Sequence, residues 1–400
     1  MILTMKEKQR TTIVHQLVAG VLTLEEAEKL LGCSERTVFR LRSRLERFGL
    51  DGMVHGNKGK ANARKTDPDV VERVLSAARG KYAGTNDTHL SELLLEREGI
   101  DVGRETLRCI LRTAGIKPKR QRRRSPYRSR RERKAAFGMM LQIDASVHDW
   151  LEGRGTRMTL VGAKDDATGH VWAHFAAAET TWSYLELMRL IITSHGVALS
   201  LYSDRHAIFH TPREPTIVEQ LKDIQPLTQF GRAMHELGCT IIKAWSPQAK
   251  GRIERVWGTL QDRLVVELRL AGVTTMAQAN EYLVGFLVKH NAQFTIPAAD
   301  AKPVFRKAPE LKALLRILCC KETRTVNKDH TVSVDGIVLQ IPPSKKFISI
   351  AGKSVDILQL QDGSLEINRG SLTVAVFSKE AITRLLAQAK NIRTDLKKAA

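Results

Sequence analysis

The stretch Ser200-Leu201-Tyr202-Ser203-Asp204-Arg205-His206 decides how this chain is read. An apolar run ends abruptly in an aspartate, which is how a buried strand delivers a carboxylate to the edge of a sheet. Upstream, Met139-Met140-Leu141-Gln142-Ile143-Asp144 repeats the pattern. Downstream, Trp245-Ser246-Pro247-Gln248-Ala249-Lys250-Gly251-Arg252-Ile253-Glu254-Arg255 is a Pro/Gly loop running into a helix whose first turn carries Glu254. Either aspartate alone reads most simply as a cap or turn residue. Three carboxylates from two strand ends and one helix, in a very basic chain, suit a pair of hard divalent cations. Mg²⁺ prefers oxygen ligands and is usually held by a few carboxylates plus substrate phosphate. Two such ions can activate an attacking oxygen and stabilise the leaving oxygen of a phosphodiester.

The order Asp144, Asp204, Glu254, with Ser246-Pro247-Gln248, Gly251 and Glu254-Arg255 around the glutamate, resembles the DDE transposase and retroviral-integrase superfamily. Within it the likeness is to bacterial insertion-sequence transposases of the ISNCY type. It spans most of the chain: a helix-turn-helix front, a catalytic core and a β-rich tail. The resemblance implies an α/β RNase H-like core in which the first strand, the fourth strand and the last helix bring the three acids together. It implies Asp144, Asp204 and Glu254 as catalytic and metal-binding residues, two Mg²⁺ ions with Mn²⁺ as the expected substitute, and no serine or tyrosine nucleophile. The element's terminal inverted repeats would be cut to expose a 3′-OH, which then attacks target DNA. A homodimer or larger assembly on DNA follows, because two element ends must be joined. Two departures stand out. Arg205-His206 follows the second Asp, where many relatives carry Asn-Gly or a similar small pair. The 50 positions from Asp204 to Glu254 (254 − 204) are more than the commonest members have. The extra residues are expected to form a loop and short helix across Ile208 to Gln229.

Composition agrees with a polyanionic partner. In 400 residues, Lys and Arg number 64 against 43 Asp and Glu, a formal net charge of +21. Such a surplus speaks of partners rather than of fold. No apolar run approaches the ~18 residues of a membrane span and no signal-peptide pattern follows Met1, so a cytoplasmic, nucleoid-associated protein without membrane contact is expected. Cys33, Cys109, Cys239, Cys319 and Cys320 show no zinc spacing. Cys33 and Cys109 read as small core residues.

At the front, residues 6–19 read as a helix with Ile13, Leu17 and Val18 on one side. Thr23 caps a second helix, Leu24 to Leu31, and Ser34 a third, Glu35 to Phe48, whose apolar face is Val38, Leu41, Leu45 and Phe48. That is a helix-turn-helix domain over 1–56, with Arg36, Thr37, Arg40, Arg44 and Arg47 on the recognition helix as candidate contacts to double-stranded DNA. Gly49 to Lys65 reads as a wing or linker. Residues 64–116 read as a second helix-turn-helix module, opened by Asp67-Pro68, with Thr106, Leu107, Ile110 and Leu111 inward, Arg104, Arg108 and Arg112 outward, and Arg104 and Arg108 as candidate DNA contacts. The alternative is a module that only packs on the core. The stretch 117–135 is a basic linker in which Lys119, Arg120, Arg122, Arg123 and Arg124 are candidate phosphate contacts whose binding is salt-dependent.

The core, 136–300, reads as three meandering strands (Met139 to Asp144, Arg157 to Ala163, His170 to Phe175), a helix from Thr181, a strand from Leu199, a helix from Gln229, a strand from Cys239 and the helix bearing Glu254. Lys250 and Arg252 suit contacts to the DNA backbone near the scissile phosphate, while Arg255 suits a carboxylate partner. Asp165 and Asp166 sit at a hairpin turn, and Asp149 and Glu152 in a loop; turn chemistry is the simpler reading of each. His206 is a secondary candidate for phosphate contact. From Thr323 the period switches to two, with Asp335-Gly336 and Asp362-Gly363 as hairpin signals. A small all-β SH3-like barrel over 320–378 and a basic terminal helix over 379–400 complete the multidomain reading. Two other readings stay open: a DNA-binding regulator with an inactive core, and a metal-dependent nuclease that cuts without joining.

Overall fold

The structure is a computed structural model that describes residues 4–54, 66–119, 131–211, 213–221, 225–244, 251–344 and 347–388. It divides into two compact units, Met1–Arg73 and Val74–Ala400.

In the first unit, α1 (Met5–Val18), α2 (Leu24–Leu31) and α3 (Glu35–Phe48) are followed by a 3₁₀ turn, Gly49–Met53. Thr4 and Thr23 each form a capping box, with Glu7 and Glu26 as reciprocal partners. Ser34 precedes α3 as expected, but its hydroxyl meets Thr37 Oγ1 at 3.2 Å rather than a backbone N–H. The core joins Ile13, Val14, Ala27, Val38, Leu41, Leu45 and Met53. Val14 therefore takes the place expected of Val18, and Phe48 is 65% exposed. The chain reverses at Gly49, and Met53 fills the space beside Leu45 that Phe48 was expected to fill. Gly52 makes this reversal possible: a Cβ there would stand 2.3 Å from the Arg44 carbonyl oxygen.

The chain continues through α4 (Pro68–Arg79), α5 (Asp87–Glu98) and α6 (Arg104–Thr113) to a five-stranded sheet. Its strands are β1 (Leu141–His148), β2 (Met158–Asp165), β3 (Val171–Ala176), β4 (Ser200–Ser203) and β5 (Thr240–Lys243), in spatial order β3-β2-β1-β4-β5. The first three form an antiparallel meander; β4 and β5 run parallel to β1. Between them lie α7 (Thr181–His195), α8 (Ile217–Leu221) and α9 (Gln229–Glu236), and after them α10 (Gly251–Leu270) and α11 (Met276–Phe294). The α8 helix occupies the extra loop, as its length suggested. One difference bears on the site. β1 runs four residues past Asp144, because β2 pairs with it as far as His148↔Met158. Asp144 is mid-strand, not at a strand end.

The sheet is covered on both faces. Leu141, Ile143, Val161 and Ala163 pack with Leu185, Met188, Ile191 and Phe230 of α7 and α9. Met158, Leu160, Val171 and Phe175 pack with Trp257, Leu260, Leu264 and Leu283 of α10 and α11. The core reaches beyond residue 300. Arg306 and Val197 exchange backbone hydrogen bonds of 2.9 Å, and Leu314 of α12 (Leu311–Ile317) is buried in the first cluster.

The α5 helix docks on this core rather than standing apart. Glu92 accepts from both guanidinium nitrogens of Arg263 at 2.5 and 3.0 Å, and Arg97 donates to Glu267 at 2.7 Å. Leu107 and Leu111 are buried as expected, but Cys109 is exposed, because it lies off their face of α6. Thr106, expected inward, is exposed, and Arg112 pairs with Asp87. The tail holds β6 (Cys320–Thr325), β7 (Thr331–Val334), β8 (Ile337–Gln340), β9 (Ser354–Gln359), β10 (Leu365–Arg369) and β11 (Leu372–Phe377), then a helix over 379–388. A sheet β11-β10-β9-β6 and the hairpin β7-β8 share one apolar core. Asp335 and Gly336 have φ of 47° and 79°, the left-handed pair of a two-residue hairpin turn. Among the described residues no helix is long and apolar enough to cross a membrane.

Candidate active site

Alternation along β1 creates the site. Leu141 and Ile143 enter the α7 side of the core. Successive strand residues face opposite ways, so Gln142, Asp144 and Ser146 face α10. Trp257 Nε1 donates to Asp144 Oδ2 at 2.9 Å, and Gln261 Nε2 to Ser146 Oγ at 3.1 Å. The partner of Asp144 across the β1–β2 ladder is Gly162. A Cβ at Gly162 would stand 2.8 Å from the Trp257 ring, so only glycine lets the indole lie flat enough on β2 to reach the carboxylate.

Asp204 follows β4, whose ladder to β1 runs Leu141↔Leu201 and Gln142↔Tyr202. The ladder ends there, so Asp144 and Asp204 each lie two positions beyond its last pair, Asp144 on β1 and Asp204 just after β4. The Asp204 side chain bends its own loop: Oδ1 accepts the His206 N–H at 3.0 Å. His206 is turned into this loop, its Nδ1 accepting from the Ile208 N–H at 3.3 Å. His210 lies beneath, 3.3 Å from Ser203 Oγ, and burial lowers its pKa. On the α7 side, the buried Tyr184 hydroxyl donates to Glu179 at 2.7 Å. Burial first, then the carboxylate charges of Glu179, Asp144 and Asp204, push its pKa up, so both aspartates lie within electrostatic reach of one phenol.

Glu254 is exposed in the first turn of α10, one turn before Trp257 on the same helix face. Its carboxylate lies back over its own turn, with Oε2 4.0 Å from where a Gly251 Cβ would be. Among the described residues no three His, Cys, Asp or Glu side chains stand close enough together to hold a metal ion. The fold thus carries Asp144 and Asp204 past the same end of the β1–β4 ladder and packs the Glu254 helix on Asp144, without gathering the three acids into one cluster among the described residues. The donor set is all carboxylate oxygen, which fits Mg²⁺.

The acids of the β2–β3 turn do other work. Asp165 is fully buried and caps the turn: Oδ1 accepts from the Thr168 N–H and hydroxyl, Oδ2 from the Gly138 N–H. Burial pushes its pKa up against those donors. Asp166, 1% exposed, accepts from Arg131, Gln142, Arg252 and the Lys134 N–H. Asp149 Oδ1 accepts the Gly153 N–H, and Glu152 pairs with Arg269. Beside Asp166, Lys164 points at α10 and donates to the Arg252 carbonyl at 3.3 Å. Burial, then the charges of Arg133, Arg255 and Arg252, lower its pKa to about 8. Lys164, Trp257, Gly162 and Tyr184 escaped the sequence reading. Lys164 was hidden in a turn-forming composition, and nothing in a lone glycine or aromatic announces a neighbour over 90 residues away.

Comparison with known proteins decides the family. A homeodomain-like domain family matches residues 4–54. "Putative transposase y4bF" of Sinorhizobium fredii (strain NBRC 101917 / NGR234) is 34% identical over 379 residues, which cover 94% of this chain and 82% of that protein. The chain belongs to the transposases. "Transposase for insertion sequence IS1202" of Streptococcus pneumoniae is 27% identical over 91% of this chain and 84% of its own length. The HTLV-2 integrase catalytic core domain in complex with magnesium (trimeric form) is similar over 38% of this chain and 86% of its own, at 16% identity and a TM-score of 0.29. The simian T-cell lymphotropic virus intasome in complex with the PP2A regulatory subunit B56 gamma is similar over 75% of this chain and 98% of its own, at 13% identity and a TM-score of 0.34.

In this transposase chain the residues expected at DNA fall into distinct settings. Arg36, Arg40 and Arg47 are exposed along α3, and Thr37 is half-buried. Arg44 turns inward to donate to the Val54 carbonyl at 3.3 Å. Arg104 and Arg108 are exposed on α6, with Arg108 paired to Glu105 at 2.5 Å. Lys119 pairs with Asp262 at 3.3 Å. Arg252 is committed to Asp166 at 2.6 Å instead of facing solvent, and Arg255 donates to the Gly251 carbonyl rather than to a carboxylate. Arg120, Arg122, Arg123, Arg124 and Lys250 lie outside the described residues.

Proposed function

We propose that this chain is the DNA transposase of its own insertion sequence: it binds the terminal inverted repeats, cuts at the element ends and joins the 3′-OH to target DNA. One observation carries the reading. Asp144 and Asp204 each lie two positions beyond the last pair of the parallel β1–β4 ladder, and Trp257, on the helix that bears Glu254, donates to Asp144.

In this reading Asp144, Asp204 and Glu254 would hold two Mg²⁺ ions. When bound, the metal would activate the attacking oxygen and stabilise the leaving oxygen of an in-line displacement at phosphorus. The rest falls to the protein's own groups. Trp257 orients the Asp144 carboxylate through its indole N–H. Lys164, Arg133 and Arg255 form a positive edge beside the first turn of α10, where the scissile backbone would lie. The α3 arginines Arg36, Arg40 and Arg47, and Arg104 and Arg108 on α6, supply duplex contacts in the inverted repeat. The six-stranded tail is read as SH3-like, and the working unit as a homodimer or larger, since two ends must meet.

The outward set of Glu254 favours one other reading, a DNA-binding regulator whose core does not cut. A pre-cut end incubated with target DNA and Mg²⁺ separates the readings: joined product supports the transposase, bound but unjoined DNA the regulator, and hydrolysis alone a nuclease.

A further inference from the structure

Asp166 is the most heavily engaged carboxylate near the site, yet it belongs to none of the three acids. Its Oδ1 accepts from Arg131 Nη2 at 2.5 Å, Arg252 Nη1 at 2.6 Å and Gln142 Nε2 at 2.9 Å. Its Oδ2 accepts the Lys134 N–H at 2.9 Å. Arg252 also donates its other nitrogen to the Arg131 carbonyl, closing a ring of three residues. The members come from three places. Arg131 lies near the end of the basic stretch that enters the core, Asp166 sits on the β2–β3 turn, and Arg252 is two residues before Glu254. Gln142 lies two residues before Asp144 on the same face of β1.

A carboxylate 1% exposed must have its charge matched, and a lone turn of helix would satisfy only part of that need. Two arginines, one amide and one backbone N–H meet it fully. Such an anchor fixes whatever it holds, because losing one partner leaves a buried charge unpaired. The first turn of α10 needs an anchor: its leading N–H groups have no intrahelical acceptors.

We propose that Asp166 is a positioning residue for Glu254, locking the first turn of α10 through Arg252 to the chain that enters from the basic linker through Arg131. DNA held by the linker then orders the turn that carries Glu254. This rests on the transposase reading only in naming what Glu254 does; the mechanical link stands on geometry alone.

Hydrogen exchange on the full-length protein tests the link. The amides of residues 255–258 bond to the carbonyls of residues 251–254, so they report the first turn. Asp166→Asn keeps the shape and the acceptor for Lys134 but removes the charge. It is expected to raise exchange at residues 255–258 about tenfold, leave Leu260–Leu268 unchanged, and remove the extra protection that a bound terminal-repeat duplex gives those four amides. Arg252→Gln should do the same, and the double variant no more than either, since both break one ring. Unchanged exchange at 255–258 in Asp166→Asn, or additive effects in the double variant, overturns the proposal. Should Asp166→Asn fail to fold, Arg252→Gln decides by the same readout. DNA joining is measured in parallel. Wild type that shows the exchange pattern without joining would refute the transposase reading and keep the positioning role.

Discussion

At the scale of single residues, the site depends on groups that hold other groups. Trp257→Phe removes one N–H donor from Asp144 while keeping most of the ring's packing. A hydrogen bond to a charged group contributes about 1.5–3 kcal/mol, so unfolding stability should fall by about that much and cleavage by about tenfold or more. Single-turnover cleavage and thermal unfolding check this; a stability loss with unchanged cleavage would make Trp257 mere packing. Lys164 gives a pH test. Its pKa is lowered to about 8, so between that value and its ordinary 10.5 the folded state has lost a proton that the unfolded state keeps. Wild-type stability therefore rises with pH across this window. Below pH 8 the buried ammonium is charged in both states and the folded state bears its cost. Lys164→Met should raise the unfolding temperature clearly at pH 6 and much less at pH 10, measured by calorimetry at both. Equal gains would mean that packing, not charge, is at issue. Neither residue was legible beforehand. The three acids stand out as candidates because short apolar runs and a Pro/Gly loop flank them; the residues packed against them are ordinary ones whose contacts are made across the fold.

Elements were read more fully than residues. The three helices of the first unit, the meander and the hairpin at Asp335-Gly336 fall where periodicity and turn chemistry placed them. The strand bearing Asp144 ran longer than expected, because pairing with β2, not the local apolar run, sets its end. The second helix-turn-helix pattern was visible, and packing on the core was one reading of it; the docking partners were not, because they are charges far apart in sequence. Glu267 is the hub of that docking. It meets Tyr282 at 2.8 Å, Arg97 at 2.7 Å and His89 at 3.2 Å. Burial alone would raise its pKa, but these donors outweigh it and hold the carboxyl at about 2. A depressed carboxylate contributes stability that is present above its unfolded value, 4.5, and is lost as pH falls toward 2. Acid titration followed by hydrogen exchange in α5 should show undocking in that window. Glu267→Gln should weaken the docking by about 2–3 kcal/mol at neutral pH and flatten its acid dependence. An α5 that stays equally protected in the variant would assign the docking to Glu92 and Arg263 instead.

For the whole molecule, the charge of +21 is the property most plainly written in the sequence. It makes DNA affinity depend steeply on salt, with log K falling by about 0.9 per neutralised phosphate for each unit of log salt. Replacing Arg36 and Arg40 with Gln should reduce that slope by about 2 and weaken binding to the terminal repeat, as measured by anisotropy titrations across salt concentrations. An unchanged slope would remove α3 from the DNA contact. In the proposed function, what the chain does with bound DNA rests on the three acids. The measurement that tests this most directly is strand transfer by the purified full-length protein, given a pre-cut terminal repeat from its genomic flank, target DNA and Mg²⁺, beside Glu254→Gln. The account predicts joined product with wild type and none with Glu254→Gln, at equal DNA affinity. Equal joining by both would contradict the assignment of Glu254, and DNA bound but joined by neither would contradict the transposase reading itself.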